Sequence, residues 1–158
     1  MRSGGGWLLS LLIVVPVLAA DLSSYAFVND NGTLRIRGRT LRLFGIYLPP
    51  TDPFCEADNE PDECIPQAVA ALKFKVGSNF VKCDFKGQAP NGALFATCRA
   101  EGKDLAAYLL ERGWAAALPE APPEYAILER IARERGLGVW NPLPTGEILV
   151  PRQRRRLW

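Results

Sequence analysis

Residues 33–47 read TLRIRGRTLRLFGIY, and their pattern decides the fold. Leu34 and Ile36 alternate with Arg35 and Arg37. A period of two puts apolar side chains on one face and basic ones on the other, so 33–38 reads as a half-buried strand. Gly38-Arg39 supplies a turn, and another strand follows from Thr40 to Tyr47. Upstream, SYAFVN at 24–29 reads as a short strand closed by the turn formers Asp30, Asn31 and Gly32. The domain thus opens with three consecutive strands.

Downstream the period changes. Leu48 to Pro66 is irregular, with Pro49, Pro50, Pro53 and Pro61 among the acids Asp52, Glu56, Asp58, Glu60, Asp62 and Glu63. That acidic stretch does not match the spacing of a calcium loop and reads as a solvated loop. Pro66 suits the first turn of a helix, QAVAALKFKV follows, and Gly77 closes it. Strands are expected at 79–86 and 93–100. Asp104 to Arg112 reads as a helix ended by Gly113. Pro122 to Arg135 reads as another, with Tyr125, Leu128, Ile131 and Ala132 on one face and Gly136 and Gly138 at its end. The order β-β-β-α-β-β-α-α, with a helix between the third and fourth strands, predicts an α+β fold: a five-stranded OB-fold barrel with three helices.

The chain has 158 residues, 48% of them hydrophobic and 23% charged, a globular balance. Arg2 is the only charge in residues 1–20, so residues 21–158 carry 18 basic and 17 acidic side chains, a net of +1. No global field argues for a polyanionic partner. There is no histidine, which removes the commonest general base and transition-metal ligand.

Residues 1–20, MRSGGGWLLSLLIVVPVLAA, set one arginine before an apolar run from Trp7 to Ala20. The pattern fits a secretory signal peptide, with a retained N-terminal membrane anchor as the rival. Residues 21–142 then form the domain, and 143–158 a C-terminal extension with the basic tail RQRRRLW at 152–158. Cys55, Cys64, Cys83 and Cys98 behind an export signal predict two disulfides. The turn segment GQAPNG lies midway between Cys83 and Cys98, which favours Cys83–Cys98 and leaves Cys55–Cys64. A four-cysteine zinc site is the alternative, though the spacings contain no CxxC pair.

Local motifs carry a resemblance. TLRLFGIYLPP, the pair VKC and ATC, GKDLAAYLLERGWAAAL and EYAILERIARERGLGVW resemble segments of the staphylococcal-nuclease-like (thermonuclease-like) family. Cys55 and Cys64 before an Ala-rich helix resemble its exported bacterial branch. The resemblance spans roughly residues 24–142. It implies an OB-fold with calcium-dependent phosphodiesterase chemistry. In that scheme two aspartates and a backbone carbonyl hold calcium, a glutamate activates water, and two arginines stabilise the phosphoryl oxygens.

Carried over position by position, the resemblance implies a degenerate site. The first metal-binding aspartate falls on Gly32, and a slipped alignment would use Asp30 instead. The second falls on Tyr47, followed by Leu48, whose carbonyl is retained. The glutamate falls on Pro50 and the second arginine on Ala93. Arg42 alone keeps the family's side chain. The expectation is a pseudoenzyme without cofactor: a periplasmic or secreted binding module, or an accessory subunit of a membrane-associated complex if 7–20 is retained. Its partner would be a protein engaged through Tyr47 and the 152–158 tail. Two alternatives stay open. One is a calcium-dependent nuclease with a rearranged site. The other is a metal-independent nucleic-acid binder using Arg35, Arg37 and Arg39 on the barrel face.

Overall fold

The computed structural model describes residues 22–49 and 65–141. The expectations for 1–20, Pro50, the 52–63 loop, Cys55–Cys64 and the 152–158 tail lie outside the described residues.

The opening strands are β1 (Leu22–Val28), β2 (Leu34–Ile36) and β3 (Arg39–Leu43). Leu34 and Ile36 are fully buried while Arg35 is exposed, as the alternation requires. The hairpin turn sits one residue earlier than expected, at Arg37-Gly38, with φ of 48° and 77°. Positive φ at both central positions matches the twist of the flanking strands, which outweighs the penalty Arg37 carries there.

The strand expected over 40–47 is interrupted at Gly45, which takes φ 78°. A Cβ there would lie 3.0 Å from the Ala121 Cβ and 3.3 Å from the Tyr125 ring. The chain therefore turns, and Ile46–Tyr47 forms a separate short strand, β4. It leaves the barrel and pairs with Ala116–Ala117 (β8) in a two-stranded ribbon.

Helix α1 (Pro66–Val76) comes next, followed by β5 (Phe80–Gln88), β6 (Leu94–Ala100) and the short β7 (Lys103–Asp104). β1 pairs antiparallel with both β2 and β5, and β5 with β6. β3 meets β6 in parallel, with Leu41 beside Leu94 and Leu43 beside Ala96. That last pairing closes five strands into a barrel of OB-fold type, with three helices outside it. Leu34, Ile36, Leu41, Val81 and Cys98 fill the barrel, and Leu72 of α1 joins the same core.

Cys83 and Cys98 sit directly opposite each other on β5 and β6, both fully buried, with Cα atoms 4.1 Å apart, and form a disulfide. This pairing removes the four-cysteine zinc alternative. It is compatible with an oxidising compartment.

Helix α2 (Leu105–Glu111) begins on a cap made by Asp104. One carboxylate oxygen of Asp104 accepts the amides of Ala106 (2.8 Å) and Ala107 (3.1 Å), and the other accepts the Tyr125 hydroxyl at 2.9 Å. Tyr125 belongs to α3 (Pro123–Glu134), so a single carboxylate caps one helix and holds the next. Of the face expected on α3, Tyr125 and Ala132 are buried and Leu128 is partly so. Ile131 instead lies at the exposed edge. Trp114 and Trp140 are half-buried; the Trp140 ring lies under the Arg133 guanidinium at 3.7 Å.

Burial, followed by the adjoining Asp104 carboxylate, pushes the Tyr125 phenol above its ordinary ionisation range. The folded chain therefore holds this proton more tightly than the unfolded chain. The stability tied to Tyr125 is complete below about pH 10, where an unfolded tyrosine titrates, and is lost as pH rises further. Thermal melts between neutral and strongly alkaline pH should show this decline. Tyr125→Phe should flatten it, and an unchanged slope would refute the assignment.

Candidate functional site

Four of the expected site positions converge. Asn31, Gly32 and Thr33 from the β1–β2 turn, Arg42 from β3, Tyr47 and Leu48 from β4 and beyond, and Asn91 and Ala93 from the β5–β6 connection line one cleft of about 560 Å³. Leu43, Ile46, Ile65, Ala89, Phe95 and Leu118 complete its walls. Among the described residues no lining side chain is acidic, and Arg42 is the only charged one.

Each position is held by local geometry. The Asn31 side-chain oxygen accepts the Thr33 amide at 3.2 Å and the Thr33 hydroxyl at 2.7 Å, and the Asn29 side-chain amide donates to that hydroxyl at 2.8 Å. These bonds fix the turn and leave Gly32 at its crest with φ 72°. Arg42 faces outward from β3, opposite Phe95, because its neighbours Leu41 and Leu43 point inward. Tyr47 stands opposite Ala116 in the β4–β8 ribbon and is 52% exposed at the mouth of the cleft. The Ala93 amide donates to the Asn91 side chain at 3.2 Å, and its carbonyl accepts the Ala89 amide at 2.8 Å. Ala93 is thus part of a tight connection and offers the cleft only a methyl group.

Gly32 is the informative position. A Cβ built there would lie 2.5 Å from Leu48 Cδ1 and 3.0 Å from Ile65 Cδ1. A side chain there would have to adopt φ 72° and push aside the movable tips of two aliphatic side chains. The slipped alternative fails as well: Asp30 is 89% exposed and pairs with Lys73 of α1 at 2.7 Å, outside the cleft lining. The described residues of the cleft do not fit a calcium ion, which needs several oxygen ligands including carboxylates.

Sequence reasoning missed Leu48 and Ile65 as plugs, and Phe95 and Leu118 as walls. Leu118 is placed by its amide, which donates to the Gly45 carbonyl at 2.9 Å. That contact spans the ribbon, and two-residue strands leave no periodic signal.

With this geometry in view, the comparisons with known proteins add no name: no family model matches the chain, and no curated protein does. The fold and the site define a class only, a closed OB-type barrel bearing a largely apolar cleft in which Arg42 is the one charged side chain among the described residues.

Proposed function

We propose that this chain is a non-catalytic thermonuclease-like domain, exported from the cytoplasm, that serves as a binding or accessory module. One observation carries the reading. The position where the resemblance calls for a metal-binding carboxylate is a glycine whose side-chain space is taken by Leu48 and Ile65. Tyr47 in place of the second carboxylate and Ala93 in place of an arginine point the same way. Among the described residues the cleft is walled largely by leucine, isoleucine, phenylalanine and tyrosine, with Arg42 its one cation, which suits an apolar side chain of a protein partner better than a hydrated phosphate. The Cys83–Cys98 disulfide supports an oxidising compartment.

Purified protein incubated with DNA or RNA should show no cleavage in calcium beyond that in EDTA. Calcium should leave the melting temperature unchanged. A site filled at a hundred times its Kd would add about 2.7 kcal/mol, which shifts Tm by several degrees. Tyr47→Asp should not create calcium binding, because Gly32 still supplies no carboxylate. A calcium-dependent shift or calcium-dependent cutting would overturn the reading and revive the rearranged nuclease. A photo-crosslinker at position 47 should trap a discrete protein partner in the native envelope, whereas the same group at exposed Phe74 on α1 should not.

A further inference from the structure

The outer face of β1, β2 and β5 carries a second surface feature, none of whose residues lines the cleft. Tyr25, Phe27 and Phe80 are 67%, 66% and 57% exposed. Tyr25 and Phe80 are cross-strand partners whose rings meet edge to face at 5.4 Å. Phe27 pairs across the sheet with Arg35, and Ser23 pairs with Lys82. The rings therefore form a central row with a cation at each end. Arg37 and Arg39 extend the basic side at the hairpin tip, where both are exposed. Tyr25, Phe27 and Arg35 also wall a shallow open depression beside Gly38.

Large rings left exposed on a rigid sheet face need a reason, because water gains nothing from them. Tyrosine and phenylalanine flanked by arginine and lysine are the side chains that settle at a bilayer's headgroup level. There rings sit among the acyl boundary groups and cations meet lipid phosphates. The sequence adds a second argument. The apolar run ends at Ala20, and the strand bearing Tyr25 and Phe27 begins at Leu22. Five extended residues span at most about 18 Å. A segment 7–20 held in a membrane would keep this face within reach of the lipid surface.

We infer that the Tyr25–Phe27–Phe80 face, with Arg35 and Lys82 at its ends, docks on an anionic phospholipid surface. The inference rests on the reading of the chain as exported, and it extends that reading from a compartment to a surface. Its ligand is the shared chemistry of phosphate headgroup over hydrocarbon. A single-stranded nucleic acid, the other polyanion that such rings could stack against, is the competing outcome.

The test is hydroxyl-radical footprinting of the full chain. It is run without lipid, with phosphatidylcholine vesicles, with vesicles containing phosphatidylglycerol, and with a single-stranded oligonucleotide in EDTA. The expected result is that oxidation of Tyr25, Phe27 and Phe80 slows at least about threefold on the anionic vesicles and less on the neutral ones, while Tyr47 in the cleft serves as the unprotected reference. The charge reversal Arg35→Glu should abolish that protection and leave the melting temperature within a few degrees, since the position is exposed. Equal protection on neutral and anionic vesicles, no protection on either, or protection by the oligonucleotide alone would overturn the inference. The mass of the mature N-terminal peptide reports separately whether 7–20 is kept. Loss of the export reading is thus distinguishable from loss of the docking face.

Discussion

Gly113→Ala should destabilise the domain by on the order of 4–5 kcal/mol, among the largest effects a single methyl can have. Gly113 ends α2 with φ 73°, where an L side chain already costs about 1–2 kcal/mol. A Cβ there would collide with the Leu137 carbonyl, 2.6 Å from its carbon and closer still to its oxygen. The obstacle is backbone and cannot rotate away. The contact is mutual: a Cβ on Gly138 would meet the Gly113 carbonyl carbon at 2.5 Å and the Arg112 oxygen at 2.7 Å. The Val139 amide donates to the Gly113 oxygen at 2.9 Å, so separating the chains also breaks a hydrogen bond. This is why GW after α2 and GLGVW after α3 stand where they do: two glycines let the helix ends touch backbone to backbone. Against a usual total of about 5–15 kcal/mol, the loss is large, and Tm should fall by roughly 10–20 °C. Gly102→Ala is the control. Gly102 has φ 75°, and a Cβ there would meet nothing within 4 Å, so it isolates the conformational cost alone. Urea titrations of the two variants decide the matter, and equal losses would mean that the helix-end contact contributes nothing.

Removal of the Cys83–Cys98 bridge is the second large effect. Replacing both cysteines by alanine should cost about 3 kcal/mol, the loop-closure value for a crosslink of 15-residue separation. Because both sulfurs are fully buried, mild reductant should not open the bond in the native protein. Reduction should instead follow unfolding and become fast only near the melting transition. The measurement is thiol labelling against temperature together with denaturant titration of the double variant. A loss below about 1 kcal/mol would show that the strand pairing already restrains the unfolded hairpin.

Much of this architecture is legible in the sequence, for identifiable reasons. The alternation around Leu34 and Ile36 survives in the structure because one face of β2 is wholly interior and the other wholly wet. Asp104 caps α2 where capping chemistry says it should, and α3 begins at Pro123, one residue after the expected Pro122. What escaped were features fixed by distant residues. The break at Gly45 is imposed by Ala121 and Tyr125, and the β4–β8 ribbon is too short to carry a period. The cleft divides in the same way. Gly32, Arg42, Tyr47 and Ala93 could be picked out along the chain, and the fold gathers them. That Leu48 and Ile65 would fill the space over Gly32 could not be read, because no local pattern reports which aliphatic side chain closes over a given turn.

The parallel contact of β3 with β6 has a kinetic consequence. Leu41 must wait for Leu94, which is made long after it, just as Leu22 of β1 must wait for Cys83 of β5. Until that seam zips, two bare strand margins face solvent. Seams between distant segments form slowly, and open margins invite sticking between molecules. Productive maturation should therefore depend on dilution or on a holding factor during the interval before closure.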